Sequence, residues 1–197
     1  MTVFSKIKWI LGIAMIFLLI IATNLIDKNN FSRVRDSVST IYKDRIVAND
    51  LIFEISNAIH KKEIAIVLKD SIFFKRINIE VNKHISEKIE KYGTTKLTTN
   101  EAKTFAELNQ NLDLLKNEES KYINSNYIDN NSLTTRISAI TENLFTLSKI
   151  QLEEGERQMA ISEKAFAKVD LFTQIEIYVL IFLAIVIQLI VMYDKKE

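Results

Sequence analysis

The sequence predicts an all-α protein, an antiparallel up-down four-helix bundle whose first and last helices continue into two transmembrane helices. Three observations carry this. The 197 residues contain no proline, the residue that removes a backbone donor and clashes with the preceding helical turn. Between the two ends, apolar residues recur at alternating four- and three-residue spacing, which is one buried face of a helix. Near each end lies a long, almost purely apolar block.

The first block, WILGIAMIFLLIIATNLI from Trp9 to Ile26, has Lys6 and Lys8 before it and Asp27 and Lys28 after it. As a helix it covers ~27 Å, close to the ~30 Å hydrocarbon core of a bilayer. A secretory signal is the rival reading, but its apolar region is shorter and ends at an A-x-A-like site, which "ATN" does not match. The second block, IYVLIFLAIVIQLIVMY, runs from Ile177 to Tyr193. Lys6, Lys8 and the terminal amine place the N-terminus on the cytoplasmic side by the positive-inside tendency, and two spans return the C-terminus there. Trp9 and Tyr193 fit the same interface. Gln188 has two readings, a bond across to another span or snorkelling to the interface. The expected organisation is a cytoplasmic N-terminus over 1–8, spans at 9–26 and 177–193, an outer bundle over 27–176 and a cytoplasmic tail over 194–197.

Within the outer segment, four seams appear. The first carries Val34, Val38, Ile41, Arg45, Ala48, Ile52, Ile55 and Ile59. The second has Phe74, Ile77, Val81, Ile85, Ile89 and Tyr92. The third has Phe105, Leu108, Leu112, Leu115 and Tyr122, with Glu119 in the remaining place. The fourth has Ile137, Ile140, Leu144 and Leu147, then Gln151, Glu154, Gln158, Ile161 and Ala165. Asp70 and Ser71 read as caps, Gly93 as a stop, Thr98 with Glu101 as a capping box, and Asn124 to Ser132 as a turn. These breaks predict helices at 27–68, 71–92, 99–124 and 132–176. Short connections make neighbours antiparallel.

Composition excludes several classes. There is no cysteine, so disulfides, thiolate metal sites and thiol nucleophiles are ruled out. A net charge of +1 is no basis for nucleic-acid binding, which normally needs a marked basic surface. No nucleophile elbow, phosphate-cradling glycine loop, H-E-x-x-H or EF-hand pattern occurs, so neither catalytic residues nor a cofactor is expected. His60 and His84, with Glu63 and Glu80, invite a metal reading. The two histidines differ in height by ~9 Å if their helices turn near residue 69, so no metal site is expected. "LEEGERQ", Leu152 to Gln158, reads as a solvated helix surface with a mild break at Gly155.

Arg45 is the leading site residue, because a guanidinium on a bundle seam loses water and needs a partner. If both outer helices leave the bilayer together, the common rise sets Arg45 level with Glu154. Arg45 and Glu154 then form a structural ion pair, helped by Gln151 and Gln158. The other reading is recognition of a ligand carboxylate by Arg45, with Asp44 beside it.

The stretch IYKDRIVANDLIFEISNAIHKKEIAI, Ile41 to Ile66, with Tyr42, Asp44, Arg45 and Val47 followed by Leu51, Ile55 and Ile59, resembles the four-helix-bundle sensor domain of methyl-accepting chemotaxis receptors. The resemblance covers both spans and the outer segment. It implies a bacterial inner-membrane protein with a periplasmic bundle that detects a small molecule or a protein, and it is the sole basis for expecting a homodimer. Such receptors usually continue into a HAMP linker and a cytoplasmic signalling coiled coil. Here only Asp194, Lys195, Lys196 and Glu197 follow the second span, so a protein partner is expected to supply the output. A structural protein using the bundle as an assembly surface is the alternative.

Overall fold

A computed structural model describes residues 3–193. The predicted tail at 194–197 lies outside the described residues, and so do the side chains of Lys6, Lys8, Trp9 and Tyr193 that carry the orientation reading. The helices are α1 (Val3–Thr40), α2 (Val47–Val67), α3 (Asn78–Gly93), α4 (Thr99–Asn124) and α5 (Asn131–Tyr193), with π turns at Ile41–Ile46 and Phe73–Ile77. α1 and α5 are both long and apolar enough to cross a membrane.

Residues 39–158 form one unit, the four-helix bundle. Antiparallel register is set by cross-helix contacts: Glu54 on α2 meets His84 and Lys88 on α3, Asn111 on α4 meets Arg136 and Asn143 on α5, and Asn49 meets Ser148. Ile55, Ile59, Ile85, Leu108, Leu115, Ile140 and Leu147 lie in the core. Each such side chain contributes about 1.5–3 kcal/mol on burial. Phe73, Phe74, Tyr122 and Tyr127 close one end as an aromatic group, packed edge-to-face except for the tilted pair Phe74–Tyr127. The second unit comprises the helical segments up to Val38 and from Met159. Among its described residues, Thr23, Asn30, Val34, Ser37, Ser162 and Ala165 are buried.

The predicted seams hold with three local corrections. Val38, Ile77 and Ile161 are exposed, and Ser37, Asn78 and Ser162 are buried instead. In α1–α2 and in α3 the cause is a π turn, which adds a residue to one turn and rotates the faces on either side of it. Periodicity alone cannot foresee that insertion.

The helix ends use the expected chemistry in part. Asp70 Oδ1 accepts from the backbone N–H of Ile72 and Phe73. Thr98 and Glu101 form the reciprocal capping box. Gly93 does end α3, but without the left-handed backbone that glycine favours. Its bare Cα instead faces the Phe105 ring, which a Cβ would meet at 3.5 Å. The left-handed stops fall on other residues. Lys69 (φ 50°) ends α2 with its N–H bonded to Ile66 O and that of Asp70 to Ala65 O, a Schellman closure. Asn126 (φ 62°) ends α4 the same way, with Tyr127 N–H bonded to Tyr122 O. α5 runs through Gly155 without a break.

Candidate functional site

The π turn at Ile41–Ile46 turns Arg45 inward, where its side chain is 6% exposed and that of Glu101 0%. Arg45 Nη1 donates to Glu101 Oε2 at 3.1 Å and to Gln151 Oε1 at 2.9 Å, and Nη2 donates to Lys96 O at 3.1 Å. Arg45 Nε is buried and makes no hydrogen bond. The other oxygen of Glu101 accepts from the Tyr92 hydroxyl at 2.7 Å and from Gln151 Nε2. Glu101 Oε2 also accepts the Thr98 N–H. One buried carboxylate thereby joins residues of α2's leading turn, α3, α4 and α5. Burial, and then the Glu101 carboxylate beside it, push the Tyr92 hydroxyl well above the usual phenol range. Asp44 stands at the rim, where its carboxylate accepts the Lys96 N–H at 3.4 Å.

The pairing of Arg45 with Glu154 is corrected. Glu154 Oε2 is held by Arg157 on its own helix, at 2.6 Å from Nη2 and 2.8 Å from Nε. The contacts Arg45–Gln151 and Asn49–Ser148 put the true register of α5 more than a turn from the predicted one. Register follows core packing in the bundle; the prediction assumed helix ends level at a membrane. Of the two glutamines expected beside Arg45, Gln151 bonds it directly, whereas Gln158 is in none of its hydrogen bonds.

A second buried polar cluster was not foreseen. Lys62, 0% exposed, donates to Glu119, Asn78 and Asn82, and both asparagine amides donate to Glu119. Burial pushes the Lys62 ammonium below its usual range, against the opposing pull of Glu119. The signal was present in the sequence: Lys62 continues the α2 seam between Ile59 and Ile66, as Glu119 continues that of α4. His60 and His84 are not brought together. His60 lies 3.1 Å from Glu63, and His84 lies 3.3 Å from Glu54. The bond from Lys88 holds the Glu54 carboxyl below its ordinary value.

Outside the Arg45 site, Ile46, Asn49, Phe145, Ser148 and Leu152 line an open groove of about 590 Å³, with Arg45 and Gln151 at its inner wall. Ile46, Phe145 and Leu152 are each more than half exposed there. Phe53 on α2 is exposed as well.

A family model described as a four helix bundle sensory module for signal transduction matches residues 1–166. No curated protein and no solved structure matches the chain.

Proposed function

We propose that this chain, which belongs to the family of four-helix-bundle sensory modules for signal transduction, is a membrane-anchored sensor whose periplasmic bundle detects a small molecule or a protein. The bundle takes the outer part of 27–176, the spans are 9–26 and 177–193, and both termini face the cytoplasm of a bacterial inner-membrane protein. A protein partner receives the signal. The orientation rests on Lys6 and Lys8.

The observation that carries the reading is the bridge from Arg45 to Gln151. It ties the chain of α1–α2 to α5, the two helical runs that also hold the apolar blocks. A ligand that binds one arrangement of these helices better than another shifts the population between them, and each shift must remake the hydrogen bonds around Glu101. Arg45 thus acts as a register lock whose Nη1 and Nη2 are already engaged. A carboxylate ligand would have to displace Glu101 from Arg45.

The exposed apolar groove supports a second reading, an assembly surface for another copy of the chain or a membrane partner. One experiment separates the two. The full chain in nanodiscs, spin-labelled at Asn49 and Ser148, is titrated with amino acids and organic acids. A saturable distance change with a raised melting midpoint supports the sensor. An unchanged distance with concentration-dependent association supports the assembly role.

A further inference from the structure

We propose that the groove between α1 and α5 walled by Arg33, Lys164 and Lys168 is a binding site for a phosphate group, presented by a lipid headgroup or free in solution. The groove holds about 340 Å³, lies wholly within the unit that contains the apolar blocks, and has Ile161, Ala165 and Ala167 as its remaining walls. No carboxylate lines it.

The groove gathers three cations that form no ion pair among the described residues. Four exposed cations of the bundle pair with an acid three or four positions along the same helix: Lys116 with Asp113, Lys121 with Glu118, Lys149 with Glu153 and Arg157 with Glu154. Lys164 has Ala160, Ile161, Ala167 and Lys168 at those positions, and Lys168 has Lys164, Ala165, Leu171 and Phe172. The one acid so placed for Arg33 is Asp36, which lies 3.7 Å from Arg35 instead. Glu163 and Asp170 are not among the groove's walls. Lys164 and Lys168 are like charges four apart, an arrangement that weakens a helix. A phosphate between them and the planar Arg33 fork would turn that repulsion into charge-assisted hydrogen bonds.

The position suits both sources. Arg33 lies ~10 Å along the helix from Ile26, and Lys168 ~14 Å from Ile177. The headgroup layer extends roughly 5–8 Å beyond the hydrocarbon on each side, and long basic side chains reach that far by snorkelling. This holds whichever side of the membrane the bundle occupies. The lipid source rests on the reading of 9–26 and 177–193 as spans; the free-anion source does not.

The test uses the full chain in zwitterionic detergent. Native mass spectrometry measures uptake of phosphatidylglycerol against phosphatidylcholine, and inorganic phosphate is titrated in parallel at constant ionic strength against the melting midpoint. The variants are R33Q/K164Q/K168Q and a bundle control of equal charge change, K103Q/K116Q/K121Q. Near an anionic surface each cation contributes on the order of fivefold in binding, so the groove variant is expected to lose roughly 100-fold in phosphatidylglycerol affinity while the control keeps most of it. That result identifies the lipid source. A saturable phosphate shift lost in the groove variant alone identifies the free anion. Equal uptake of both lipids with no phosphate shift, or equal losses in both variants, overturns the site. Should the triple variant misfold, K168Q alone must lose about fivefold. A chain that stays in solution without detergent would refute the spans and leave the phosphate titration standing.

Discussion

Arg45 Nη1 lies 3.1 Å from Glu101 Oε2, with both side chains buried, across two helices separated by 56 positions in the chain. Glu101 is also the N3 partner of the cap Thr98 in the capping box that starts α4. A single carboxylate therefore starts one helix and neutralises a cation from another, so the packing of the first helical run and the start of α4 cannot change independently.

Removing one member of a buried pair leaves the other uncompensated, at a cost of about 3–5 kcal/mol. R45A is expected to destabilise the bundle by that amount in urea. R45M/E101Q, which removes both charges and keeps the volume, should recover most of it. Equal stability of R45A and wild type would show that the pair does not hold the fold.

The Lys62–Glu119 cluster makes the same prediction at a separate place. K62M alone should cost about 3 kcal/mol, because Glu119 stays buried with only Asn78 and Asn82 beside it. K62M/N78L/E119L, which also removes the buried Asn78 amide that bonds only Lys62 and Glu119, should return to within about 1 kcal/mol of wild type or exceed it. Chemical denaturation of the three proteins decides this.

Lys69 occupies a left-handed position, φ 50°, where an L side chain is disfavoured. Glycine there should stabilise the protein by roughly 1 kcal/mol, the left-handed penalty less the added freedom of the unfolded glycine. A thermal midpoint that falls in K69G would count against the Schellman closure of α2.

Tyr92 gives the alkaline limb of the stability curve. Its folded pKa is raised above the unfolded value of 10.0, first by burial and then by Glu101. Between those values the native state binds more protons than the unfolded state. Its contribution is therefore full below pH 10.0 and is lost as pH rises beyond it. The Lys62 shift has the opposite sign: its folded pKa is below 10.5, so its contribution to stability rises as pH climbs toward 10.5. Y92F should flatten the loss above pH 10 while retaining the Phe105 ring contact. An unchanged alkaline slope in Y92F would refute the assignment.

The four helices, their apolar faces, the Asp70 and Thr98 caps and the two apolar blocks were all legible in the sequence. Each is a local property: spacing, side-chain length or a residue three positions away decides it. The importance of Arg45 was legible too, since a guanidinium on an apolar seam must find a partner.

Its partner was not. Glu101 was read as the capping-box partner of Thr98, which it is, and Glu154 was chosen by assuming level helix ends. Which carboxylate meets Arg45 depends on the π turn at Ile41–Ile46 and on how four seams interlock, and both are long-range outcomes. Lys62 and Glu119 show the same division. Periodicity put each on a buried face, and only packing brought them together. What must be buried along each helix could be read from residue spacing, because helical period is intrinsic to the backbone. The register between helices comes from packing, because a buried charge is satisfied only by whichever group that packing brings within hydrogen-bond distance.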